Sequence, residues 1–239
     1  MALEKIDSAL LHYIVANGYK PGDRLPSLED LGVELKISVG KLREQLEVAR
    51  SLGMVDVRTR SGIRIEEYTF TPAVRYSVLY ALALDSSLFD AFNTLRNSIE
   101  AAFWYDAVAL LKPEDHTHLQ DLVAKAWAKL NGHPIHIPHT EHRDLHLTIY
   151  GRLPNPFVKG LLEAYWEAYE AVGLSVFSDY SYLREVWTYH EAIVDAIVAG
   201  KADEGYALLV KHTALLRNRE SLHPHAAHTS EQTVLADIS

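Results

Sequence analysis

The stretch Ile37–Leu52, ISVGKLREQLEVARSL, constrains this chain more than any other. Leu42, Leu46 and Ala49 recur at helical spacing, so a helix here has one apolar face and must bury it. Ser38 is placed to cap its first turn and Gly53 to stop it. Lys41 and Arg43 fall in the first turns, away from the apolar face and beside Gly40. A helix N-terminus that carries basic and small side chains suits the major groove of DNA. Taken alone, the same stretch also fits a surface helix with solvated charges. The flanking sequence decides between the two.

Before it, Leu3, Ile6, Leu10 and Ile14 predict one helix from Leu3 to Ala16, ended by Asn17-Gly18. Pro21-Gly22 predicts a turn, and Leu25 a lone apolar anchor ahead of Pro26. Ser27 caps a second helix that starts at Leu28 and turns Leu31 and Leu35 inward. After Gly53 the apolar period drops to two. Val55 and Val57, then Ile63 and Ile65, read as the strands of a hairpin around the polar tip Thr59-Arg60-Ser61-Gly62. Three helices followed by such a hairpin make a winged helix-turn-helix. The chain carries a net charge of −9, yet between Lys41 and Arg64 basic residues outnumber acidic ones. Arg58 and Arg60 put part of this local basic patch on the wing, where it suits phosphate contact.

Glu66 to Pro72 is the junction to a second region, with Pro72 in the first turn of a new helix. From there to about Asn218 the apolar spacing is helical. It breaks at Asp85-Ser86, Lys112-Pro113, Asn131-Gly132, Leu153-Pro154, Gly173 to Ser178 and Gly200. The expected fold is therefore mostly α. A winged helix-turn-helix spans residues 1–68 and an all-α bundle of about seven helices spans 72–219, while 220–239 reads as a mobile tail. A hydrophobic content of 48% is ample for packed cores. The absence of cysteine excludes disulfide and thiolate chemistry. The opening MALEKIDSALLHYIV has no cleavable apolar segment, and no apolar run is long enough to span a bilayer. The expectation is a cytoplasmic protein with no membrane partner.

The chain has 13 histidines, concentrated in its second half. His142 and His146 are one helical turn apart and face the same way. By phase, His190 shares a face with Ile193 and Ala196, and His212 with Leu208, Leu209 and Leu215. A histidine on the inner face of a bundle is ordinarily a hydrogen-bonded core residue. Four converging from separate helices are what a divalent ion such as zinc or nickel requires. His133, His136 and His139, in HPIHIPHTEH, form a separate run that reads as a solvated loop. Arg96 and Asn93 lie on an apolar, aromatic helix from Leu88 to Leu111. A buried arginine there needs either a carboxylate partner, for which Glu100 is in reach, or an anionic ligand. Tyr150, Trp187 and Tyr189 are candidates to line the same cavity.

Two parts of the sequence resemble known families. PGDRLPS, LREQLEVARSLGMVDVR and SGIRI, together spanning residues 3 to 68 nearly without gaps, resemble the DNA-binding domain of GntR-family bacterial transcription regulators. The resemblance implies that Ser38, Gly40, Lys41 and Arg43 meet phosphates and bases and that Gly62 is the wing-tip glycine. Val39 stands where the family often has arginine, and so does Glu29 on the preceding helix. The operator is thus expected to differ from the common family site. LRNSIE, LHLTIYGRLPNPF and YHEAIVDAIVAGKADEGYALLVKH resemble the FCD-type ligand-binding domain. Within that resemblance, seven helices, counting the one after Pro72, point to the FadR-like subfamily.

Metal-binding members of that group use an aspartate four residues before a histidine, then two histidines on the last two helices. His146, His190 and His212 fall on the three histidine positions, and His142 stands where the aspartate is expected. The resemblance implies a site of four histidines, or of three with His142 spare. Without the carboxylate such a site favours zinc first, then nickel or cobalt, over manganese. Asp144 would face the other side of its helix. The family reading also places Arg96 beside the metal, where it would grip a carboxylate in two-pronged fashion.

The expected function is a dimeric, ligand-responsive transcription regulator. A homodimer would bind a palindromic double-stranded DNA operator and respond to a small carboxylate effector. One alternative is a regulator whose bundle only dimerises around a structural metal. A second is a metal-dependent hydrolase in which three histidines and an open position activate water. Against the second, His190-Glu191 is followed by Val194, so the HExxH pattern is absent.

Overall fold

The computed structural model describes residues 2–58, 62–172 and 179–220. It opens with a 3-10 turn at Ala2–Lys5, followed by α1 at Ala9–Ala16. The single helix expected from Leu3 is broken at Ser8. The Ser8 hydroxyl oxygen accepts from the Leu11 amide and restarts the helix there, leaving Ile6 exposed. A short polar side chain that caps a local amide outweighs apolar spacing that no neighbour rewards. Helix α2, Leu28–Leu35, is capped by Ser27, and α3, Val39–Ser51, by Ser38. Both caps fall at the serines expected from the sequence.

Strands β1, Val55–Arg58, and β2, Gly62–Ile65, pair antiparallel with Val55 opposite Ile65 and Val57 opposite Ile63. The segment from Gly22 to Leu25 is more than a turn and an anchor. The Leu25 amide donates to the Ile63 carbonyl at 2.9 Å and the Ile65 amide to the Asp23 carbonyl at 3.0 Å. The hairpin thus gains a short edge on the β2 side. Ile63 is buried in the core, whereas Val57, opposite it on β1, is 42% exposed. Leu10, Leu31, Leu42, Leu46, Val55 and Ile63 belong to one apolar core beneath the three helices and the hairpin. Gln45 ties α3 to α1, because its side-chain oxygen accepts from the Leu10 amide at 3.0 Å and from the Ser8 hydroxyl. It satisfies an N-terminal amide of α1 that the helix cannot satisfy itself.

Seven helices follow among the described residues: α4 Thr71–Leu84, α5 Leu88–Ala109, α6 Pro113–Leu130, α7 His139–Tyr150, α8 Pro156–Ala171, α9 Tyr180–Val198 and α10 Ala202–Glu220. Prolines open α6 and α8 at their first positions, and Asn155 caps α8. The expected break at Gly173 to Ser178, the wing-tip residues Thr59, Arg60 and Ser61, and the chain beyond 220 lie outside the described residues. No described helix is long and apolar enough to cross a membrane.

The chain divides into two compact units. One contains the described residues up to Arg96 and those from Gly151 to Val172. The other contains Asn97–Tyr150 and those from 179 onward. In the first unit α4 packs along α8, and the contact needs a glycine. A Cβ on Gly160 would stand 2.8 Å from both the Phe70 Cβ and the Thr71 amide nitrogen, too close for any other residue. In the second unit α9 packs against α10 and α6, and α6 against α7.

Candidate metal centre and nucleic-acid interface

The second unit brings four histidines together. His142 and His146 come from α7, His190 from α9 and His212 from α10. Each offers one ring nitrogen, and the four nitrogens lie within 4.8 Å of one another. His146, His190 and His212 are at most 2% exposed, and His142 is half-buried. Local packing fixes each ring. His190 shares its buried face with Trp187, Ile193 and Ala196, and His212 with Leu209. At the start of α7, Glu141 pairs with Lys129 of α6 at 2.7 Å.

His190 is the hub. Its Nε2 lies 3.2 Å from the Nε2 of His146 and 3.1 Å from the Nε2 of His212. Its ring centroid is 4.7 Å from that of His142. Trp187 stands edge-on to His190, with ring centres 4.9 Å apart, and Tyr189 lies beside His212. Tyr150 is buried too, and its hydroxyl donates to the Glu100 backbone carbonyl.

On the far side of His146, Nδ1 is 3.1 Å from the Oε1 of Glu100, a carboxylate with no exposed surface. The sequence offered Glu100 only as a partner for Arg96, four residues away. That spacing was legible, whereas its proximity to a ring on α7 was not.

These nitrogens test the fit of a metal. A neutral ring nitrogen has either a hydrogen or a lone pair, not both. If the Glu100 carboxylate accepts the Nδ1 hydrogen of His146, the Nε2 of that ring is a lone pair aimed at His190. One His190 nitrogen must then serve two neighbours. A divalent ion satisfies all three at once. Two ligand nitrogens bound at about 2.0–2.1 Å to one zinc ion stand roughly 3–3.4 Å apart, the range observed here. The donor set fits, and the residues available to hold the ion are His146, His190, His212 and His142. When bound, such an ion supplies an electrophilic centre for an anion.

The other residues singled out from the sequence have their own surroundings. His133, His136 and His139 do not join the cluster. Asp144 pairs with Arg143. Arg96 and Asn93 belong to the first unit, and both are buried. The Arg96 guanidinium carbon is 4.7 Å from the Tyr165 ring centre and 5.4 Å from that of Trp166. The Tyr165 hydroxyl donates to the Asn93 side-chain oxygen at 2.9 Å. A planar guanidinium stacks favourably against aromatic faces of this kind.

On α3 the Ser38 hydroxyl oxygen accepts from the Lys41 amide, and Ser38, Gly40, Lys41 and Arg43 all reach the surface. Leu42 between them is buried, so burial of the apolar face turns the basic residues outward. Arg58 is exposed and pairs with Asp56 on its own strand. Gly62 has φ +75°, a left-handed conformation that a side chain resists, and Arg24 packs directly over it. Arg24 went unnoticed in the sequence. It sits in PGDRLPS, but only the pairing of that segment with β2 brings it to the wing. Arg60 lies outside the described residues.

Two family models match, each in a separate part of the chain. Residues 3–65 match the family described as bacterial regulatory proteins, gntR family, and residues 92–215 match the FCD domain. The chain is 24% identical over 200 residues to the uncharacterized HTH-type transcriptional regulator YieP of Escherichia coli, covering 82% of this chain and 86% of that protein. It is 21% identical over 216 residues to the uncharacterized HTH-type transcriptional regulator YcbG of Bacillus subtilis, covering 90% and 88%. A GntR structure from Streptococcus agalactiae shares the fold, with a TM-score of 0.62 at 19% identity over 88% of this chain and 96% of that one.

Proposed function

This chain belongs to the GntR family of bacterial regulatory proteins and carries an FCD domain; on that premise we propose that it is a metal-containing sensor of a small organic acid. It is a DNA-binding transcription regulator and not an enzyme.

Residues 1–68 bind DNA, and residues 72–219 bind the metal and the effector and dimerise. Ser38, Gly40, Lys41, Arg43, Arg58, Arg60 and Gly62 form the DNA-facing set. His142, His146, His190 and His212 hold a divalent ion, with zinc preferred over nickel and cobalt. The convergence of four ring nitrogens within 4.8 Å is the observation that carries this reading. Among the imidazoles, His142 replaces a carboxylate and leaves the ion more electrophilic toward an anion. Arg96 and Asn93 recognise the effector carboxylate; the burial of Arg96 beside Tyr165 and Trp166 supports this. Two copies meet a palindromic operator in the cytoplasm, and the effector acts by preferring one pose of the pair over the other.

The test combines metal analysis of the purified protein with operator binding, measured across a panel of small carboxylates with and without chelator. One equivalent of metal per chain and an acid that changes operator affinity only in the metal-loaded protein are expected. Replacing Arg96 with Ala should abolish that response while leaving metal content unchanged. Metal-loaded protein whose operator affinity ignores every acid would leave the ion a structural role.

A further inference from the structure

We infer that Glu100 is the positioning residue of the histidine centre: its carboxylate fixes His146 in the tautomer that presents Nε2 to the ion. The inference rests on the proposed metal site and deepens it. It assigns a task to a residue that the sequence placed elsewhere.

The two ends of one ring carry the inference. His146 Nδ1 is 3.1 Å from Glu100 Oε1, and His146 Nε2 is 3.2 Å from His190 Nε2. A carboxylate only accepts, so a hydrogen bond across this gap needs the hydrogen on Nδ1. The opposite nitrogen is then a lone pair, and it points into the cluster. Neither group reaches solvent, with His146 at 1% exposure and Glu100 at 0%. Bulk water therefore does not compete for the Nδ1 hydrogen, and the ring is held in one orientation. Metal-bound histidines are commonly oriented and made more basic by an acceptor of this kind behind the ring.

Charge gives a second reason. Four neutral imidazoles bring no negative charge to a buried dication. Glu100 supplies one directly behind a ligand ring. The carboxylate that the coordinating set lacks at His142 is thus provided one step further out, from α5 instead of α7.

The experiment uses the full chain and zinc as the probe. Zinc affinity of wild type and Glu100→Gln is measured by competition with a chromophoric chelator, alongside the melting temperature of each with and without zinc. Gln keeps the size of the side chain and removes the charge. The expected result is a roughly 10–100-fold loss of zinc affinity in E100Q, with a smaller zinc-induced rise in melting temperature than in wild type. A purely structural role would lower both melting temperatures together and leave affinity unchanged. Wild type that binds zinc, with E100Q within about twofold of it, would overturn the inference alone. Wild type that binds no zinc would instead bring down the proposed metal site. Should E100Q fail to fold, nitrogen NMR of zinc-loaded wild type decides. A protonated Nδ1 and a metal-bound Nε2 on His146 are expected, and the reverse assignment overturns the proposal.

Discussion

The exposed basic face of α3 and the histidine cluster reach their geometry by opposite routes. On α3 everything is local. Ser38 caps, Leu42 and Leu46 bury, and Lys41 and Arg43 are turned outward as a consequence, all within one continuous stretch. The centre is assembled from distant pieces. His146 and His190 are 44 residues apart, His190 and His212 a further 22, and Glu100 comes from another helix again. The first site is exposed and its side chains are individually replaceable. The second is buried, so each ring depends on the packing of the helix beneath it. A local site can be tuned one residue at a time, while an assembled one depends on the packing of several helices.

That contrast can be broken in several ways. The largest effect is expected from Leu42→Ala, which removes a side chain with no exposed surface from the core of the winged helix. It should cost about 2–5 kcal/mol of stability, read by denaturant unfolding of that transition. Zinc content should stay at the wild-type value, and a parallel loss of metal would show that the two sites are not separable. Next, His190→Ala removes the hub. Spreading about 10–16 kcal/mol of zinc binding over four ligands predicts a loss on the order of 100-fold or more, measured by chelator competition. Arg43→Ala follows, with operator affinity falling about 10–100-fold in a mobility-shift titration. Lys41→Ala should instead lower the salt dependence of binding by about one counterion. The smallest effect is expected from His142→Ala. That ring is half-buried and farthest from His212, with centres 6.3 Å apart, so about a tenfold loss of zinc affinity would mark it as a minor ligand. A loss equal to that of His190→Ala would make all four rings equivalent.

The same contrast explains what the sequence made legible. Ser27 and Ser38 were readable as caps because a cap needs only its own next turn. Seven helices after Pro72 were readable because prolines and Asn-Gly or Gly breaks punctuate them. The division of the first helix at Ser8 was not, since apolar spacing ran straight through it. Nor was the edge strand at Gly22 to Leu25, whose partners Ile63 and Ile65 lie far along the chain. The histidine positions came from spacing and family resemblance. Glu100 escaped because Arg96, one turn away in sequence, supplied a nearer explanation, and only the packed structure shows its Oε1 beside His146 Nδ1. Gly160 gave no signal either, because its need to be small is set by Phe70 and Thr71.

The amide of Gln45, anchored on Leu10 and Ser8, has an evolutionary corollary. It fastens α3 to α1 through bonds in which none of the exposed residues Gly40, Lys41 and Arg43 takes part. Exchanging Gly40, Lys41 or Arg43 therefore leaves the fastening intact. New target sequences can be acquired by drift at those outward positions, one at a time, without each step first being rescued by a compensating change in the scaffold.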